Sequence, residues 1–130
     1  MGKPVVRNWR DVGPRVGHDN AIVWRLLNSA HGGPPAAGAV ADDDRASCLQ
    51  RITGVARHAL QGGKRSDYHI HQDAEQFYYV LRGQGALIVD GESYPVREGD
   101  VVYLPAGVQH QAVNESDDWM EHLIVTARLG

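Results

Sequence analysis

At 130 residues, with 13 Lys and Arg against 16 Asp and Glu and a net charge of -3, the chain has the size of one domain and lacks the basic footprint of a nucleic-acid binder. Its single cysteine, Cys48, excludes an internal disulfide and a thiolate metal cluster. No segment approaches the roughly 20 apolar residues of a membrane span, and the N-terminus has no apolar run of signal-peptide length, so no membrane partner and a cytoplasmic location are expected.

Residues 1–47 read as an irregular N-terminal arm and mobile loop packing on a barrel made by residues 48–130, a single structural domain in all. The apolar run 21–27 suits a strand or one short helix, and we read it as a strand. The segment 31–44 is small, Pro/Gly-rich and ends in Asp42, Asp43 and Asp44, which predicts a loop that either connects or lies over a pocket, with its acids solvated. From Cys48 onward, short stretches rich in Val, Ile, Leu, Tyr and Thr alternate with turn signals at Gly62 and Gly63, Gly83 and Gly85, Asp90 and Gly91, Gly99, and Pro105 and Gly107. Many short strands at regular spacing predict an all-β sandwich or small barrel. Asp90 and Gly91 both tolerate the positive φ of a type I′ hairpin turn, and Pro95, which cannot donate to a ladder, suits an edge.

His69 and His71 stand two apart, so on a strand both imidazoles leave the same face while Ile70 points away. Two such rings, about 7 Å apart at Cα, can converge on one ion. His110 follows a strand at 101–104 and the bend at Pro105 and Gly107, which lets it enter a neighbouring strand. A lone buried histidine is usually a hydrogen-bonded core residue, but three at this spacing indicate a metal site, completed by Glu75 or Gln76.

These residues also carry a family resemblance. Gly63, His69, His71, Gln76 and Gly83 resemble the first motif of the cupin superfamily; Gly99, Pro105, Gly107, His110 and Asn114 resemble the second, with a short spacer as in compact bacterial members. The resemblance implies a double-stranded β-helix, or jelly roll, with a metal inside the barrel mouth, and it favours a homodimer. Counting back from Gly83 places Gln76 where the family usually has glutamate, while Glu75, its neighbour, would face the other side of the strand. The implied ligand set is therefore His69, His71, His110 and Gln76. Three imidazoles and an amide are all neutral and leave a divalent ion its full charge, which suits an anionic or enolate-forming ligand. One divalent transition metal per chain is expected, and Fe, Zn, Ni, Mn and Cu all accept imidazole.

For proton transfer, Tyr78 should share the face of Gln76, Tyr103 lies on the strand before the second-motif turn, and His122 sits on a strand near the C-terminus. Each has an alternative as a packing or rim residue. His58 has the same two readings, Arg51 and Arg57 either grip an anionic substrate or are solvated, and His18 and His31 fall in irregular segments with no evident role. Apolar residues on both faces of 76–82 suggest that a second sheet or a second subunit covers the outer side, with 5–6 as an exchanged strand in a dimer. The expected function is that of a metal-dependent enzyme on a small oxygen-rich acid, ketone or enol. It would be an oxygenase with Fe or Cu, or an isomerase, cyclase or lyase with Zn, Ni or Mn. The alternatives are a non-catalytic binder of a small ligand and a protein stiffened by a structural ion.

Overall fold

The computed structural model describes residues 3–31 and 44–130. Most of the Pro/Gly-rich segment, with Asp42 and Asp43, lies outside the described residues. Eleven strands follow one another: β1 (Arg15–Gly17), β2 (Ala21–Ser29), β3 (Ser47–Leu49), β4 (Ile52–Leu60), β5 (His69–Ile70), β6 (Ala74–Arg82), β7 (Gln84–Val89), β8 (Glu92–Arg97), β9 (Val101–Leu104), β10 (Gln109–Val113) and β11 (Met120–Arg128). One sheet has the order β1-β2-β4-β11-β6-β9, with β3 added on β2, and the other has the order β5-β10-β7-β8. All pairs are antiparallel except β2 with β3. The structure is all-β, a jelly roll in which the two inner faces enclose the core. The strand expected at 21–27 is present as β2 and lies between β1 and β4, so residues before position 47 contribute to the main sheet.

The alternation of inward and outward residues explains these strands. On β6, Tyr78 and Val80 are buried while Phe77, Tyr79 and Leu81 face out; on β11, Met120, His122 and Ile124 are buried. The inner faces pack Val23, Leu60, Val80, Leu87, Leu104 and Met120 into one core. Removing the side chain of Leu87, for example, would cost about 2–5 kcal/mol. Turn chemistry sets the register between β7 and β8. Asp90 and Gly91 have φ of 47° and 84°, and Pro95 sits on the edge strand β8 opposite Ala86, both as the sequence predicts.

One expected placement comes out differently: Arg51 precedes β4 and so does not share a strand face with Arg57. Within the single chain residues 3–8 form no strand and Val6 is exposed.

Candidate metal centre

The imidazoles meet at one end of the barrel. β5 pairs with β10 so that His110 is the direct cross-strand neighbour of His69. His71 lies just past β5, where its carbonyl accepts from the Gly107 amide at 2.8 Å, tying the two motif segments together. Ligating atoms of His69, His71 and His110 all fall within 4.8 Å of one another.

Hydrogen bonds decide which nitrogens are left to bind. His110 Nδ1 lies 3.4 Å from the Val108 carbonyl, and His69 Nδ1 lies 3.3 Å from the Asp67 carbonyl with the Asp67 carboxylate 3.2 Å away, so each proton is drawn to Nδ1 and Nε2 keeps the lone pair. Gln76 Nε2 donates to Thr126 Oγ1 at 2.9 Å, which turns its Oε1 the other way. The Nε2 atoms of His71 and His110 and the Oε1 of Gln76 are all buried with no hydrogen-bond partner. Orphaned acceptors are costly in a barrel interior, and a cation would satisfy them. The residues therefore fit a metal ion. Glu75 faces outward, where its carboxylate accepts from the Tyr103 hydroxyl at 2.8 Å.

Electrostatics favour the neutral imidazoles that a metal requires. His110 is pushed down to about 4, by burial first and then by His69. Burial and the same neighbour lower His71.

Tyr78 is buried on the inner face, its ring edge-on to His110 at 6.2 Å between centroids and stacked on His122 at 4.9 Å. Burial raises the Tyr78 hydroxyl well above its ordinary value and presses His122 down to about 4. Tyr103 is not brought to the histidines: it lies on the outer face of β9, 61% exposed. Arg57 is also outside, ion-paired to Glu121 at 2.9 Å and held 4.1 Å from the centroid of the Trp9 ring.

Sequence reasoning missed His18 and Asp67. His18, at the turn between β1 and β2, stacks on His69 at 4.7 Å and shares the Asp67 carboxylate with it. Its ring is also 5.4 Å from His58, which is 5.5 Å from His122, so six of the seven histidines form one connected group inside the barrel. A cavity of about 10 Å³, room for one water, is lined by His18, His58, His69, Tyr78 and His122. A groove of about 660 Å³ lies on the outer side of β7 and β8, lined by residues such as Ile88, Pro95 and Arg97 and by none of the histidines; we assign it no part in this centre.

With this geometry in view, the family pattern described as "Cupin domain" matches residues 56–126, more than half the chain. The chain belongs to the cupin family. An oxalate-binding protein of Thermotoga maritima is 31% identical over 70 residues, which are 54% of this chain and 58% of that protein. A 3-hydroxyanthranilate 3,4-dioxygenase of Meyerozyma guilliermondii is 35% identical over 75 residues, 54% of this chain and 43% of the enzyme. The chain thus spans about half the length of the curated relatives it matches. Among solved structures, a predicted oxalate decarboxylase from Thermotoga maritima superposes with a TM-score of 0.70 at 22% identity, covering 96% of this chain and 100% of its own, a likeness of cupin fold alone. Among the described residues, no helix is long and apolar enough to cross a membrane.

Proposed function

We propose that this cupin binds one divalent transition metal through His69, His71, His110 and Gln76 and acts on a small oxygen-rich organic molecule, as an oxygenase when the metal is iron or copper. The observation that carries this reading is the cluster of His69, His71 and His110, together with the buried, unpartnered acceptors on His71, His110 and Gln76. When bound, the metal would supply Lewis acidity to a coordinated oxygen. The chain's own part is to hold the imidazoles neutral, to orient them through Asp67 and Val108, and to keep the Tyr78 hydroxyl protonated as a hydrogen-bond donor beside them. His122, stacked on Tyr78, fixes that ring and stays neutral at physiological pH. The relatives named above support small-molecule chemistry of this kind. With zinc, nickel or manganese the same residues would serve isomerase, cyclase or lyase chemistry. Without turnover the same residues would make a small-ligand binder. We further propose that the protein works as a homodimer.

Elemental analysis of the untagged protein tests the core of the proposal. About one first-row metal per chain is expected, lost in His110→Ala. Full metal content in that variant would sink the assignment. Iron or copper would direct assays to oxygen consumption, and zinc, nickel or manganese to non-redox turnover.

A further inference from the structure

The inner face of the barrel carries a cation that the metal centre does not use. Inward positions on β2 run Ala21, Val23 and then Arg25; the first two are 3% and 1% exposed and fill the core in the ordinary way. A bulge between Arg25 and Leu27 then brings Asn28 opposite Gly54 on the inner side. The Arg25 guanidinium lies over Gly54, and a methyl group added there would sit 2.7 Å from its Cζ, so the missing side chain makes the guanidinium's seat. From Gly54 the register runs to Thr126 on β11 and from Thr126 to Gln76 on β6. That is two strand spacings, about 10 Å of backbone separation. The guanidinium therefore shares a row of the inner face with the amide of the proposed ligand set.

Its partners are all neutral. Nε donates to Asn28 Oδ1 at 2.8 Å and Nη2 to the Thr53 carbonyl at 3.3 Å, while no acceptor for Nη1 is found among the described residues. Arg57, Arg65 and Arg82, on the outside, each have a carboxylate at 2.9–3.4 Å; among the described residues Arg25 has none. Burial lowers its pKa from the ordinary value, yet a guanidinium stays charged. A partly buried charge held only by neutral groups is poorly compensated, and a metal bound by neutral ligands in the same row would add positive charge.

Resting on the function proposed above, we propose that Arg25 is the anchor for the carboxylate of a small organic acid whose other oxygen reaches the His69, His71, His110 and Gln76 set. Nη1, together with the remaining N–H of Nη2, offers the paired donors that match a carboxylate. The substrate or ligand class is then narrowed from oxygen-rich molecules in general to small carboxylic acids.

Calorimetric titration of the metal-loaded protein with oxalate, malonate and succinate, and with the neutral isostere malonamide, tests this. The wild type should bind at least one of the acids more tightly than malonamide. Arg25→Gln should weaken that acid at least ten-fold, leave malonamide unchanged and keep the wild-type metal content. Gly54→Ala displaces the guanidinium without removing it and meets only the flexible end of a side chain, so it should weaken the same acid even if Arg25→Gln fails to fold. Acid binding unchanged in a folded variant, or no preference of the wild type for any acid over malonamide, overturns the role of Arg25 and leaves the metal reading standing. Should the wild type take up no metal, the metal reading falls by itself; the same titrations on the metal-free protein still decide for or against Arg25.

Discussion

With an amide rather than a carboxylate at position 76, no ligand of the proposed set carries a charge, so a bound cation would keep its full charge. Gln76→Glu should bind a divalent metal about ten-fold more tightly at pH 7, since a charged ligand is added where Thr126 can donate instead of accept, whereas Gln76→Ala should weaken binding by about ten-fold or more. Competition against a fluorescent chelator measures both, and equal affinities in all three proteins would remove Gln76 from the ligand set. Protons provide a second probe. His122 has a folded-state pKa of about 4 against its ordinary value of 6.5, so the unfolded chain takes up the proton first. Stability is complete above pH 6.5 and drains away as the pH falls toward 4. For a fully buried ring the loss between pH 7 and pH 5 is about 2 kcal/mol. His122→Phe keeps a flat ring against Tyr78 and cannot titrate, so urea unfolding of the metal-free variant should show a loss smaller by about that amount. An acid dependence identical to wild type would mean that His122 does not bear this cost.

At the scale of the elements, Asn114 behaves as a fastener between strand ends. Fully buried, its amide donates to the carbonyls of Leu60 on β4 and Asp118 before β11, at 2.9 and 2.7 Å, and its oxygen accepts from the Ser116 amide and hydroxyl just after β10. Asn114→Ala should therefore cost about 3 kcal/mol in denaturant unfolding, by orphaning buried carbonyls. A loss below about 1 kcal/mol would contradict this account. Two glycines separate backbone strain from close approach. Gly91→Ala meets open space at φ 84° and should cost about 1 kcal/mol, while Gly83→Ala at φ 81° would also run into the Trp119 carbonyl and cost clearly more. Such local features were legible in the sequence: period-two spacing puts His69 and His71 together, and glycine and proline punctuation marks the strands and the bend before His110. Pairing across long distances was not. His58 and His122 are in register as cross-strand neighbours, and His18 reaches Asp67 from 49 residues away across a turn with positive φ at His18 and Asp19. No local pattern encodes which strands lie side by side, so those contacts needed the fold. Arg25 was hidden for the same reason: a bulge and the glycine of another strand give it its place.

For the whole molecule, the inner face is accounted for and the outer face of β6 and β9 is not. Phe77, Tyr79, Leu81, Val101 and Tyr103 are 37–64% exposed, and the register sets Phe77 against Tyr103 and Tyr79 against Val101, so they form one continuous patch. Solitary exposed hydrophobes need no explanation, but a contiguous sheet face of this kind marks an interaction surface. Its one carboxylate, Glu75, accepts from the Tyr103 hydroxyl and keeps its charge near the start of β6, while the rest of the patch is uncharged. A flat apolar sheet face is self-complementary about a two-fold axis, and a second copy of the chain brings an identical patch. Sedimentation at micromolar concentration should find a dimer, and Tyr79→Glu with Val101→Glu should yield a monomer, because each two-fold contact would then bury unpaired carboxylates twice over. Both positions lie on the far side of the sheet from the imidazoles, so the double variant should keep the metal content of the wild type. A wild type that sediments as a monomer, or a double variant that still dimerises, would show that this face is not where two copies meet.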